Sequence, residues 1–175
     1  MNYELSHFEA LEADSALASL PCLVVGLGNC LLRDDGIGVH AVRELARQHP
    51  EIPALEVGTD VFSAIGWLER ARWVLAVDAM DAGGTPGTIY TCCGSDIAPP
   101  ESPKSIHELG LLSVLEFIAL HRRPKIAVLG VQPEIVDYGL ELSPTLARAL
   151  PAVVQAARAL SGQWASSQIQ NARLG

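Results

Sequence analysis

Apolar residues in this chain fall into two patterns that take turns. "CLVVGLG" at residues 22–28 is a continuous apolar run closed by glycines, which predicts a strand buried on both faces. Downstream, Ile37, Val39, Val42, Leu45 and Ala46 recur at helical spacing as far as Pro50, so a helix is expected from about residue 36 to 48. "ALEVG" reads as a second strand and "VFSAIGWLERA" as a helix. "RWVLAVDAM" is a third strand, apolar until Asp78 ends it; "GTIYTCC" is a fourth and "KIAVLGV" a fifth. Between the last two, "HELGLLSVLEFIALH" is helical, with Leu109, Leu112, Leu115 and Ile118 three apart. Ser143 followed by Pro144 has the form of an N-cap and first helical position, and so starts a last helix.

This alternation implies a three-layer α/β sandwich: a mostly parallel five-stranded sheet with one antiparallel strand and helices on both faces. The odd strand is chosen by loop length. Only residues 79–86 separate strands three and four, and a parallel crossover needs about a dozen residues or more, so these two are expected to pair antiparallel. The length suits one domain, placed at residues 21–162. Residues 1–20 and 163–175 lack a strong period and are expected to be a flexible extension and a tail.

Charge narrows the function classes. The net charge is −8 and the 12 basic residues are scattered singly or in pairs, which argues against nucleic acid and anionic membrane surfaces as partners. No apolar run approaches the roughly 20 residues of a membrane span. The first residues carry glutamates where a secretory signal would carry lysines, so a cytoplasmic location is expected. Cys22, Cys30, Cys92 and Cys93 form no Cys-x-x-Cys pair and read as small core hydrophobes plus an incidental thiol.

The chemistry concentrates after strand one. Gly26 and Gly28 match the first two glycines of a dinucleotide fingerprint, and Glu56 near the end of strand two could stand for its ribose-binding acid. The third glycine position is Leu31, however, and Asp34 and Asp35 would repel a pyrophosphate, which leaves a Rossmann-like nucleotide module as an alternative only. The chain has neither a G-x-S-x-G elbow nor an H-E-x-x-H motif. If strand order begins 2-1-3, the acids after strand one and Asp78 at the end of strand three face one crevice beyond the carboxyl ends of the strands. His107 precedes the following helix from the same edge. Asp35, Asp78 and His107 together make an O, O, N set suited to a borderline divalent ion such as nickel or zinc, with coordination positions left open. Taken singly, Asp35 is better read as a helix N-terminal acid and Asp78 as a strand-end acid capping a turn; it is their convergence that favours the site.

In order, "GLGNCLLRDDGIGVHAVREL", "VLAVDAMDAGGTPGTIY", "HELGLLSVL" and "GVQPEIVDYGLELSPTL" resemble the maturation endopeptidases of [NiFe]-hydrogenases over about residues 22–160. The resemblance implies removal of a C-terminal peptide from the [NiFe]-hydrogenase large-subunit precursor after nickel insertion. The nickel is supplied by that substrate, and no organic cofactor is expected. It carries the family's metal-contacting acid, aspartate and histidine onto Asp35, Asp78 and His107, as catalytic and metal residues both. In place of the family's acidic glycine turn after strand two, this chain has "EVGTDVF", with its acids at Glu56 and Asp60. A non-cleaving checkpoint protein that holds the nickel-loaded precursor is the competing function.

Overall fold

The computed structural model describes residues 20–93, 111 and 113–172. Strands β1 (Leu23–Leu27), β2 (Ala54–Gly58), β3 (Trp73–Ala79), β4 (Ile89–Cys93) and β5 (Lys125–Val131) form one sheet in the order β2-β1-β3-β5-β4. The first four in that order run parallel and β4 closes the edge antiparallel. The expected architecture holds, as does the 2-1-3 start. The neighbour of β4 does not: it pairs with β5, Ile89 opposite Val131, and not with β3. A short loop fixed the antiparallel sense correctly, but β5 is apolar at nearly every position and buried along its length after Lys125. It therefore takes the interior place beside β3 and leaves the edge to half-exposed β4.

Helix α1 (Ile37–Gln48) and the last helix α3 (Pro144–Ala172) cover one face. There Val24, Leu75, Val77, Leu129 and Val131 of the sheet meet Ile37, Val42 and Leu45 of α1 and Leu146, Val153 and Ala157 of α3. Period-two alternation sends Leu23, Val25, Val74, Ala76, Ile126 and Val128 to the other face, against Leu68 of the short helix α2 (Ile65–Leu68) and Leu111, Val114 and Ile118. In the segment before β5 the fully buried positions are thus 111, 114 and 118, with Leu115 only partly buried. Leu109 and Leu112, expected on that stripe, lie outside the described residues.

The helix expected at 61–71 is shorter than its pattern, a 3-10 turn (Val61–Ala64) followed by α2. The last helix is longer. Ser143 does cap it, its hydroxyl accepting the Leu146 N–H at 3.2 Å, but the helix continues past residue 162 to Ala172, where a tail was expected. Trp164 explains the attachment: its ring stacks on Trp73 of β3 at 4.7 Å between centroids, and Leu160 packs on the same core. A weak period conceals this because one large aromatic replaces several aligned aliphatics. Among the described residues, no helix is long and apolar enough to cross a membrane.

Candidate active site

The carboxyl ends of β1 and β3 meet at the edge where the sheet order turns, and here the chain makes its closest approaches. A side chain on Gly38, in the first turn of α1, would place its Cβ 2.0 Å from the Val77 carbonyl oxygen and 2.5 Å from that of Leu27. Gly28, with φ +115°, leaves 1.8 Å between such a Cβ and the Asp35 carbonyl. The glycines that imitate a phosphate loop therefore let a helix and a turn press onto two strand ends.

Between them the chain turns through residues 29–36, closing with a 3-10 turn (Arg33–Gly36) that packs on β3. Asn29 organises it. Its side-chain oxygen accepts the Leu31 N–H at 2.9 Å, and its own N–H donates to the Asp35 carboxylate at 2.7 Å. Asp35 is half-buried, with one carboxylate oxygen held in this way.

Its neighbour Asp34 has a different occupation. It is fully buried, and its two oxygens accept three backbone N–H groups: Glu134 at 2.9 Å, Ile135 at 2.8 Å and Ser143 at 2.7 Å. Asp34 thus ties the turn after β1 to the loop after β5 and to the cap of α3. Sequence reasoning placed Asp35 in the site and gave Asp34 no separate role, so it missed this one, as it missed Asn29. An asparagine two residues before a hydrogen-bonded N–H is a readable Asx signal, whereas the partners of Asp34 lie a hundred residues away.

Asp78, 1% exposed, is the next-to-last residue of β3 and accepts the Ala79 N–H at 2.9 Å. By alternation it shares the face of Val74 and Ala76, the face that Leu111, Val114 and Ile118 cover. Asp35 and Asp78 therefore occupy one edge, as the 2-1-3 order required. His107 lies outside the described residues. Among the described residues, no three His, Cys, Asp or Glu side chains group closely enough to hold a metal.

The loop after β3 is fastened from below by Gln132, which is buried. Its side-chain oxygen Oε1 accepts the N–H groups of Ala82 at 2.9 Å and Gly84 at 3.1 Å, while its side-chain Nε2 donates to Asp81 at 3.0 Å. That bond, together with the Gly83 N–H, lowers the Asp81 carboxyl below its ordinary range.

The remaining polar groups near the turn have other partners. Glu56, in the middle of β2, forms a two-point ion pair with Arg43 of α1, and Asp60 caps the turn after the strand by accepting the Ser63 N–H at 3.4 Å. Glu56 thus faces a guanidinium, which leaves little of the ribose-binding role that the nucleotide alternative assigns to it. Burial raises the Cys30 thiol, partly offset by Arg43 and reinforced by Glu56 and Asp35. The direction is away from the thiolate that a cysteine nucleophile uses. Burial likewise pushes Cys22 up to about 12. His40 is held below the ordinary imidazole value by burial and by Arg43, and its Nε2 is buried without a hydrogen bond.

Comparison with known proteins gives this arrangement its context. The hydrogenase maturation protease family model matches residues 39–159. The chain belongs to that family. The matched span contains Asp78 and His107 and begins just after Asp35. Hydrogenase expression/formation protein HupD of Rhodobacter capsulatus is 34% identical over 148 residues, 79% of this chain and 70% of its own. Hydrogenase 2 maturation protease of Escherichia coli K12 is 30% identical over 146 residues, covering 79% of this chain and 89% of its own. Among solved structures, the [NiFe] hydrogenase maturation protease HybD from Thermococcus kodakarensis superposes with a TM-score of 0.71 at 28% identity, over 80% of this chain and 98% of that one. The E. coli maturating endopeptidase HybD gives 0.71 at 27%, over 81% and 92%.

Proposed function

We propose that this protein is the endopeptidase that removes the C-terminal peptide of a [NiFe]-hydrogenase large-subunit precursor once nickel is in place, and that Asp35, Asp78 and His107 contact the nickel carried by that precursor. Family membership supports peptidase action on the large subunit. The observation that supports the site reading is that Asp35, in the turn after β1, and Asp78, near the end of the neighbouring strand β3, lie toward the carboxyl edge of the sheet at its switch point.

Two carboxylates and an imidazole suit nickel in their donor chemistry, and three ligands are too few to close a site around it. The ion is therefore best treated as part of the substrate, where it offers Lewis-acid character beside the scissile bond. This chain's own contribution is to receive it. The half-buried Asp35 is oriented by the Asn29 N–H, and Asp78 stands in a water-poor strand end where a carboxylate favours a cation partner. The raised Cys30 thiol supports attack by water over a covalent enzyme intermediate.

The test compares nickel-loaded and nickel-free precursor with metal-stripped enzyme, reading the mass of the C-terminal fragment. The loaded precursor should be cut and the empty one left whole even at high enzyme concentration. Equal cleavage of both would remove nickel as the signal, and tight binding of the loaded form without cleavage would favour the checkpoint reading.

A further inference from the structure

Five large apolar side chains stand exposed along one rim beside the candidate site: Leu31, Ile135, Val136, Tyr138 and Leu140, the last two 83% and 70% exposed. They belong to the turn after β1 and the loop after β5, and backbone hydrogen bonds fasten these together. The Arg33 N–H donates to the Gly139 carbonyl and the Gly139 N–H to that of Leu31, both at 3.0 Å, while the Asp34 N–H reaches Ile135 at 3.3 Å. Leu32 and Gly139 form a parallel bridge, and the buried Asp34 carboxylate anchors the second loop with its own three bonds. The apolar groups are thus presented to water by a fixed backbone. A rigid exposed apolar patch of this kind marks an interaction surface.

We infer that this rim docks the folded large-subunit precursor through an apolar patch of that protein next to its C-terminal segment. The inference rests on the endopeptidase reading and deepens it. Continuity with the site selects the occupant. Leu31 and Asp35 share one turn and one organiser, because Asn29 binds the Leu31 N–H through its side chain and the Asp35 carboxylate through its own N–H. A protein substrate that brings its end to Asp35 must lie across this rim. Charge narrows the partner further. Glu134, Asp137 and Glu141 are exposed among the apolar residues, so the surface around the complementary patch must be neutral or basic. Among the described residues, Phe62 and Phe117 form a second exposed aromatic group, their rings packed edge to face at 5.6 Å, away from these two loops in the chain.

The test uses the full chain with the double substitution Val136→Ser and Tyr138→Ser. Binding and processing of nickel-loaded precursor are both measured. Precursor Kd and KM should rise about tenfold or more with kcat within about twofold, since central apolar anchors act on binding while Asp35 keeps its tether. Tyr138→Phe alone should keep wild-type values, and Phe117→Ser with Leu120→Ser should leave them within about twofold. A folded double variant with unchanged Kd and KM overturns the proposal, as does an equal loss in the Phe117 and Leu120 variant. So does sedimentation showing a wild-type dimer that the rim substitution dissociates, because the occupant is then a second copy. If the wild type cuts no precursor, the endopeptidase reading fails on its own. The rim is then judged by Kd alone.

Discussion

Two neighbouring stretches of the chain, the turn after β1 and strand β2 with the turn that follows it, each carry two acids, and they use them in opposite ways. After β1, Asp34 is sealed under the rim with three backbone N–H groups, and Asp35 is half-buried and steered by a fourth. Within β2, Glu56 is matched to an exposed arginine, and after the strand Asp60 caps a surface turn. The two turns touch, since the Gly28 N–H donates to the Gly58 carbonyl at 3.2 Å, so distance from the crevice does not separate them. Desolvation does. A carboxylate removed from water must be met by fixed donors, and that requirement makes it a structural anchor or a tuned ligand. A carboxylate that keeps its water can make a local ion pair of little weight.

Substitutions sharpen this contrast. The largest stability effect should come from Asp34→Ala, which strands three backbone N–H groups, that of Ser143 buried and those of Glu134 and Ile135 partly buried. At about 1–3 kcal/mol for a buried group left unpaired and less for a partly buried one, a loss of about 2 kcal/mol or more is expected in urea unfolding. Asp34→Asn should recover part of it. A loss below about 1 kcal/mol would mean that the anchor is redundant. Next, Asp35→Ala should cut precursor processing by about 100-fold or more, which is about 2.7 kcal/mol of barrier, while costing less stability than Asp34→Ala, the bond from the Asn29 N–H being worth about 1 kcal/mol. Asp78→Asn and His107→Ala should lose processing to the same degree in the fragment mass assay. Near-normal turnover in any two of the three would sink the shared-site reading. Glu56→Gln breaks an ion pair whose side chains are 31% and 51% exposed, so urea unfolding should register less than about 1 kcal/mol, shrinking further in high salt. The smallest effect belongs to Cys30→Ser, with processing within about twofold and retained after thiol-blocking reagents. Loss of turnover in a folded Cys30→Ser protein would bring the thiol into the chemistry.

Much of the fold was legible because it depends on local pattern. The apolar runs of β1, β3 and β5 name themselves, the Ser143–Pro144 start of α3 follows from capping chemistry, and the switch-point position of Asp35 and Asp78 follows once the order is 2-1-3. The neighbour of β4 was not legible, because loop length sets direction and only competition for burial sets place. Neither was the end of α3, which depends on Trp164 meeting Trp73 across the core.

The candidate site divides along the same line. By itself the sequence determined which residue types could gather: two acids after a glycine turn, one at a strand end, a histidine before a helix, and the family they resemble. Tertiary structure alone decided that adjacent Asp34 and Asp35 part company. Partners from residues 134, 135 and 143 bury the first, and Asn29 holds the second at the crevice. Identical side chains one residue apart have the same local signal; what distinguishes them is which donors the rest of the chain brings within hydrogen-bonding reach and how much water it removes.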